Sequence, residues 1–379
     1  MNDINKKSAI LITALAVCLT ASVCFSVFRG SSVPEPLPCS GNNAEAAVQT
    51  PASKLKSDDE FLDLWSSDAP ARIALLSYLK DIDNPDGVNF IPEGDRIAVF
   101  DFDGTLFNET DPNYFDYMLL EYRVAKDPSY KDKASAFEKE TAEKIREQNE
   151  TGKAFKGLEV DHGRAVASSF AGMTLEEFDD YIQEFKKQPM PGYNGMHRGE
   201  GFYLPMLQII DLLQKKNFKV YIVSGTDRFI VRGIIHNSVL NLPDSQIIGS
   251  DETLVSSGQK DVNGLDYTFS RDDRLILGGD FIIKNLKMNK VSVIMKEIGR
   301  KPVLAFGNST GDSSMAQFVT SGNKYRSLAF MLAADDLERE NGSAGKAEKM
   351  INICKENGWI AVSMKNDWKT IYGDKVTKK

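Results

Sequence analysis

The sequence predicts an α/β protein with a doubly wound parallel sheet and a helical cap subdomain inserted after the first strand. Three apolar runs, IAVFDF (97–102), FKVYIV (218–223) and KPVLAF (301–306), are too short for helices and continuous enough for strands buried on both faces. Helical spacing precedes the second and third runs, which is the alternation of a parallel sheet with right-handed crossovers. Residues 106–217 interrupt this alternation and are far too long for a loop, so they must contain the cap.

The N-terminus begins with an apolar segment. Lys6 and Lys7 precede an uncharged run at residues 8–28 that is long enough to span a bilayer. We therefore interpret residues 1–29 as a signal peptide or membrane anchor, with membrane contact only through residues 8–28. The basic flank predicts an extracytoplasmic protein, either anchored or secreted. Cleavage, retention and lipidation of this segment all stay open.

The rest of the chain is predicted to consist of a linker, an α/β core and a cap. Residues 30–56 are rich in Pro, Ser, Ala and Asn and are predicted to be a flexible linker. The α/β core is assigned to residues 57–105 and 201–379, and the cap to residues 106–200.

Overall composition excludes several classes of function. The formal charge of −8 and the sequence pI of about 5.2 argue against a nucleic-acid-binding surface. The four cysteines do not make a disulfide framework, and no spacing resembles a zinc site.

Helical patterns dominate the predicted cap. The segments NYFDYMLLEYRVA, KASAFEKETAEKIREQN and TLEEFDDYIQEFKKQ have helical spacing, and Thr174 with Glu177 predicts a capping box for the third. Further on, residues 251–285 alternate around a turn at Asn263-Gly264, which is typical of a β-hairpin.

Two carboxylates follow the first predicted strand. Asp101 and Asp103 stand where the buried run ends, and desolvating them beside one another is costly unless a cation or a reaction uses them. An acidic turn without function is the alternative interpretation, and the other strand ends argue against it.

Polar residues also follow the other two predicted strands. Ser224 and Gly225 offer a hydroxyl and backbone N–H groups suited to phosphate oxygens, and Lys290 adds a positive charge. Asn308 and Asp312 supply the oxygen donors that Mg²⁺ prefers. Because parallel strands present their carboxyl ends at one edge, these groups together predict phosphoryl transfer.

This chemistry assigns a role to each group. Mg²⁺ held by Asp101, Asp103 and the 308–312 loop would neutralise and orient the phosphate. Asp101 would attack phosphorus to form an aspartyl-phosphate, and Asp103 would protonate the leaving alcohol and then activate water. Ser224 and Lys290 would hold the transferring oxygens.

The motifs DFDGT, VSGT, Lys290 and GNSTGD, in this order and spacing, resemble the haloacid dehalogenase superfamily of phosphotransferases. The insert after the first strand resembles the cap of the phosphoserine-phosphatase-like branch, and several further segments are similar to exported bacterial hydrolases of that branch. The resemblance implies that Asp101 is the nucleophile and Asp103 the acid/base. It also implies that the Asp103 main-chain carbonyl binds Mg²⁺ and that Ser224 and Lys290 bind phosphate.

Two departures bear on the substrate. Asn308 stands where phosphoserine phosphatases usually carry Asp, and Glu109 lies one residue before the position of their amine-binding Glu, which here is Thr110. Phosphoserine is therefore disfavoured as the substrate. Arg164 and His197 are further candidates for substrate specificity.

These observations predict a Mg²⁺-dependent phosphomonoesterase that acts on a small phosphorylated metabolite. The alternatives are a phosphoserine phosphatase proper and a non-catalytic exported phospho-ligand-binding protein. Whether water or another alcohol accepts the phosphoryl group stays open.

Overall fold

A computed structural model of the protein describes residues 57–379. The predicted N-terminal signal or anchor and the linker therefore lie outside the described residues. Among the helices of residues 57–379, none is both long and apolar enough to cross a membrane.

The centre of the fold is a seven-stranded sheet in the order β5-β4-β3-β1-β6-β7-β8. The strands of this sheet are β1 (Ile97–Phe100), β3 (Lys219–Asp227), β4 (Ile247–Ser256), β5 (Leu275–Ile283), β6 (Leu304–Gly307), β7 (Leu328–Ala333) and β8 (Ile360–Ser363). A separate two-stranded sheet is formed by β2 (Tyr193–Asn194) and β9 (Thr377–Lys378). All neighbours in the sheet are parallel except β4 and β5. The predicted doubly wound α/β architecture is confirmed.

Helices connect these strands and cover the sheet. They are α1 (Asp58–Phe61), α2 (Pro70–Asp83), α3 (Phe115–Ala125), α4 (Ala136–Thr151), α5 (Leu158–Phe170), α6 (Leu175–Lys186), α7 (Leu204–Lys215), α8 (Arg228–Ile235), α9 (Met288–Val293, continued by a π-helical turn at Ile294–Ile298), α10 (Ser313–Thr320), α11 (Ala344–Asn357) and α12 (Met364–Asp367).

Strand β1 lies in the middle of the sheet, and every one of its side chains is buried, as expected for a central strand covered on both faces. Its neighbours are β3 and β6, so the chain leaves β1 in one direction and later returns on its other side. The rings of Phe100, Phe306 and Phe330 stack across three adjacent strands, with centroids 4.2 and 5.0 Å apart. This packing fixes the tip of β1 at the topological switch point, where doubly wound sheets bind ligands.

The insert between β1 and α7 is helical, as predicted. Three of its helices, α3, α4 and α6, match the three predicted segments, and the capping box of Thr174 and Glu177 is present at α6. A fourth helix, α5, was not predicted from the sequence. Its apolar positions are separated by Gly163, Ser168 and Ser169, which weakened the helical pattern.

The entry and exit of the insert run side by side. Phe107 and Phe202 form an antiparallel bridge, the amide of Asn108 donates to the carbonyl of Gly201 at 2.8 Å, and the amide of Tyr203 donates to Leu106 at 2.9 Å. Both connections therefore leave the core at the same place, next to the tip of β1.

Two regions outside the insert add detail to the sheet and its helices. The chain after residue 57 forms two separate helices, α1 and α2, because Pro70 begins a new helix. The predicted hairpin is present as β4 and β5, but β4 begins at Ile247 and its first half belongs to the parallel sheet beside β3.

Candidate active site

Asp101 and Asp103 lie just past the carboxyl end of β1, and both are 7% exposed. The amide of Asp101 donates to the carbonyl of Phe306 at 2.9 Å, which holds this residue in line with β6. Both carboxylates line a cavity of about 300 Å³. The strand ends form its floor and the helical insert its wall.

Lys290, in α9, lies beneath this floor with no solvent exposure. Its Nζ donates to Oδ1 of Asp101 at 2.5 Å and to Oδ1 of Asp312 at 2.7 Å. Burial lowers the pKa of Lys290, but the two carboxylates outweigh burial and raise it above its usual value. The side chain is therefore a fixed positive charge beside the predicted nucleophile.

Asp312 organises the loop that follows β6. Its Oδ2 accepts hydrogen bonds from the amides of Asn308 and Ser309 at 3.2 and 3.0 Å, and from the Ser309 hydroxyl at 3.0 Å. Its other oxygen accepts from Lys290. Both oxygens of this predicted metal ligand are thus bonded to protein donors, which suits it to hold the loop and Lys290 in place.

The two catalytic candidates differ from ordinary surface carboxyl groups. Burial raises the pKa of Asp101 to about 7; the Asp312 carboxylate adds to this effect and Lys290 opposes it. Burial also raises the pKa of Asp103 well above its usual value, and the carboxylates of Asp116 and Asp101 contribute. Both groups bind protons more tightly than in water.

Gly104 shapes the wall between Asp103 and the 308–312 loop. It has a φ of +70°, and a Cβ there would overlap the side-chain nitrogen Nδ2 of Asn308 and lie 2.5 Å from the carboxyl carbon of Glu109. Asn308 also donates a side-chain hydrogen bond to Glu109, and burial raises the pKa of Glu109 to about 7. Only glycine leaves room for these two side chains at this turn.

The end of β3 provides the opposite side of the floor. Its register with β4 shifts between Val223 and Asp227, and Gly225 and Thr226 there line the cavity. Ser224 is fully buried, and its Oγ accepts from the Thr226 amide at 3.0 Å. The Ser224 side chain does not itself line the cavity.

Two residues that the sequence did not single out meet at this point. The hydroxyl of Thr226 lies 2.7 Å from Oδ2 of Asp103 and 3.2 Å from Oδ2 of Asp116, which belongs to α3 of the insert. No spacing in the sequence links these residues, because each comes from a different element. The threonine of the VSGT motif was the signal that could have indicated Thr226.

The remaining wall of the cavity mixes aromatic, apolar and charged groups. It is formed by Tyr114, Tyr117, Gln148, Phe155, Leu158, Glu159, Lys284 and Leu286. Most of these residues come from the insert, so the insert determines what fits above the two aspartates.

Two predicted specificity residues lie elsewhere. Arg164 is exposed on α5 and borders a separate surface groove with Phe281 and Asp280. His197 is also exposed and lies 3.0 Å from Glu200 in the connection back to the core. Neither residue lines the cavity, because both side chains are directed to the outer surface. The structure therefore does not support the assignment of Arg164 and His197 to the site. Glu109, the third predicted specificity residue, does line the cavity.

The donor set suits Mg²⁺ only in part. Among residues 57–379, no three His, Cys, Asp or Glu side chains are grouped so that they could hold a metal ion by themselves. Asp101 and Asn308 offer side-chain oxygens at the cavity, and the Asp103 carbonyl would add a third. Oδ1 of Asp103 is buried without a hydrogen-bond partner. A hard cation with several waters fits these oxygen donors.

Comparison with known proteins places the site within a family. Residues 98–317, more than half of the chain, match the model of the family described as haloacid dehalogenase-like hydrolase. This range includes every residue of the cavity floor. No curated protein matches the chain.

Several solved structures resemble the chain at low identity. A functionally unknown protein from Anaerococcus prevotii DSM 20548 is 14% identical, with 79% of this chain and 94% of that one covered and a TM-score of 0.48. A phosphoserine phosphohydrolase-like protein from Francisella tularensis subsp. tularensis SCHU S4 is 16% identical, with 70% and 94% covered and a TM-score of 0.38. A substrate-bound phosphoserine phosphatase is 19% identical, with 70% and 92% covered and a TM-score of 0.34.

The family match begins in β1 and ends in α10, and it therefore spans the insert as well as all three strands whose ends form the cavity floor. The resemblance predicted from the four motifs is confirmed, as is the prediction of a hydrolase: the chain belongs to the haloacid dehalogenase-like hydrolase family.

Proposed function

We propose that the protein is a Mg²⁺-dependent phosphomonoesterase that works through an aspartyl-phosphate. The observation that carries this proposal is the pairing of Asp101 and Asp103 on the floor of one cavity, with Lys290 bonded to Asp101 from below. One carboxylate is thus held by a fixed cation, and the other has a buried oxygen without a hydrogen-bond partner and belongs to a residue that lines the same cavity.

In the first half-reaction, a carboxylate oxygen of Asp101 attacks phosphorus, and the bond between phosphorus and the ester oxygen breaks. Asp103 transfers its proton to the departing oxygen, so that an alcohol leaves and Asp103 becomes a carboxylate. Backbone N–H groups near Gly225 and the charge of Lys290 stabilise the negative charge on the phosphoryl oxygens.

In the second half-reaction, Asp103 takes a proton from water as the water oxygen attacks phosphorus. The bond between phosphorus and Asp101 breaks, inorganic phosphate is released, and both aspartates return to their starting states. Mg²⁺, held by Asp101, Asn308 and the Asp103 carbonyl, would supply charge neutralisation for the phosphate.

The insert makes the substrate a small one. A cavity of about 300 Å³ lies at the lower end of ordinary ligand sites and suits a phosphorylated metabolite. We propose that this substrate is met outside the cytoplasm, since residues 8–28 have the pattern of a signal or an anchor.

The test is phosphate release by the purified full-length protein from a panel of small phosphomonoesters, with Mg²⁺ and with EDTA. We expect release that requires the metal and falls at least about 10³-fold in Asp101→Asn. The thermal unfolding midpoint of the variant verifies that it is folded. A folded wild-type protein that releases phosphate from no ester would contradict the proposal and favour a phospho-ligand-binding protein.

A further inference from the structure

One hydroxyl group lies between the predicted acid and the helical insert. Oγ1 of Thr226 is 2.7 Å from Oδ2 of Asp103 and 3.2 Å from Oδ2 of Asp116. Thr226 is 4%, Asp103 7% and Asp116 2% exposed, so water does not compete freely for these contacts. Thr226 is the penultimate residue of β3 in the core, whereas Asp116 lies in the first turn of α3 in the insert.

The hydrogen-bonding capacity of this hydroxyl is limited. A threonine hydroxyl carries a single hydrogen, so it donates to one of the two carboxyl groups at a time. A hydroxyl donates more strongly to a carboxylate than to a protonated carboxyl group. The contact with Asp103 is the shorter of the two, 2.7 against 3.2 Å, and this hydrogen bond strengthens once Asp103 has given up its proton.

The second oxygen of Asp103 completes the arrangement. Oδ1 of Asp103 is buried, has no hydrogen-bond partner, and belongs to a residue that lines the cavity. With Oδ2 held by Thr226, Oδ1 is the oxygen that remains for the leaving group of a bound ester. The orientation of the carboxyl group is thereby set by a residue that need not contact the reacting atoms.

We infer that Thr226 is a positioning residue for leaving-group protonation: it orients Asp103 through Oδ2 and donates to the carboxylate that forms when Asp103 gives its proton to the ester oxygen. This inference rests on the proposed function. The hydrogen bond strengthens as the phosphorus–oxygen bond breaks and the proton moves from Oδ1 to the departing oxygen. It therefore stabilises the transition state more than the bound substrate.

The leaving group provides a direct test. An alkyl phosphate must receive a proton as its alcohol departs, whereas p-nitrophenolate departs as a stable anion and needs little help from an acid. We would measure kcat/KM of the full-length protein for both esters, because this parameter reports the step in which the leaving group departs. The variants are Thr226→Val, which keeps the shape and removes the hydroxyl, and Thr226→Ser, which restores it.

We expect Thr226→Val to lower kcat/KM about 10- to 100-fold for the alkyl ester and to change it little for p-nitrophenyl phosphate. Thr226→Ser should recover most of the loss. Ser250→Ala is the matched control, since the Ser250 hydroxyl is buried nearby and donates to the Gly225 carbonyl at 2.6 Å rather than to Asp103. Ser250→Ala should change kcat/KM by the same factor for both esters.

If Thr226→Val lowers kcat/KM equally for both esters, the inference is overturned and the proposed function stays intact. The same holds if kcat/KM of Thr226→Ser for the alkyl ester is as low as that of Thr226→Val. If Thr226→Val does not fold, Thr226→Ala gives the same comparison of the two esters. A wild-type protein that cleaves neither ester would instead overturn the proposed function, and the inference with it.

Discussion

The ammonium group of Lys290 lies 2.5 Å from Oδ1 of Asp101, and neither group has more than slight contact with solvent. The same ammonium lies 2.7 Å from Oδ1 of Asp312. One buried cation therefore serves two buried carboxylates, and this trio connects the end of β1 to the loop after β6. Its integrity decides whether the predicted nucleophile is held in a reactive position.

Replacing Lys290 with methionine should therefore destabilise the fold as well as abolish activity. Removing one partner of a buried ionic group leaves uncompensated charge and costs about 3–5 kcal/mol. Chemical denaturation of the wild type and the variant measures this difference in the free energy of unfolding. Adding Asp312→Asn to the variant should restore part of the loss, and a Lys290→Met protein as stable as the wild type would contradict the ionic description.

Gly104 should tolerate alanine far less well than a glycine with the same backbone angle elsewhere. Gly152 also has a positive φ, +71°, but nothing lies within 4 Å of the Cβ that alanine would add. Gly152→Ala should cost about 1 kcal/mol from backbone strain alone. Gly104→Ala should cost more and should abolish activity, because its Cβ displaces Asn308 and Glu109.

Thermal unfolding and phosphate release, measured for both glycine variants, separate these two effects. Equal losses of stability and equal activity would show that crowding at Gly104 has no consequence.

Asn308→Asp should strengthen Mg²⁺ binding. The variant places a charged oxygen where the wild type offers a neutral one, and cation affinity rises with ligand charge. Without metal, the new carboxylate lies beside Glu109 and should lower the unfolding midpoint. The free energy of unfolding gained on adding saturating Mg²⁺ should then exceed the gain in the wild type, by about 1.4 kcal/mol for each tenfold increase in affinity. A smaller gain than in the wild type would exclude Asn308 as a ligand.

We expect the free energy of unfolding to fall as pH rises above 4.5, because of the buried carboxyl group of Glu252. It is 4% exposed and both carboxyl oxygens lack hydrogen-bond partners; burial, with Asp227 and Asp251, raises its pKa from 4.5 to about 9. Below pH 4.5 the group is protonated in both the folded and the unfolded chain. Between pH 4.5 and 9 only the unfolded chain releases the proton, which favours unfolding by up to about 1.4 kcal/mol per pH unit.

Glu252→Gln removes this effect, so its stability relative to the wild type should increase from pH 5 to pH 8. Denaturant titrations at several pH values measure the difference, and values below pH 4.5 are the internal control. A difference that does not change with pH would contradict a raised pKa at Glu252.

The sequence predicted the parts of this molecule that depend on short-range patterns. Three buried runs of six residues located β1, β3 and β6, and the polar residues behind them located the cavity floor. The sequence did not indicate β7 and β8, because they have no motif behind them. It also did not bring Thr226 and Asp116 to Asp103, since their contact depends on how α3 packs over the sheet.

Side-chain direction explains the remaining differences. Arg164 lies on a cap helix, but helix α5 has one face towards the cavity and another towards solvent, and Arg164 is on the outer face. Leu158 and Glu159, one and a half turns earlier, line the cavity instead. Charge type alone could not distinguish these positions, because the weakened helical pattern of α5 left its orientation undefined.

The adjacent entry and exit of the insert have a consequence for how such a protein diversifies. Leu106 and Tyr203 are hydrogen-bonded neighbours, so the core strands would still be joined if the intervening chain were replaced by a short link or by a different domain. Closing a loop whose ends already touch costs little conformational entropy. The residues placed to break the phosphate ester and most of those that surround its organic group therefore lie in two parts of the chain that are joined at a single place.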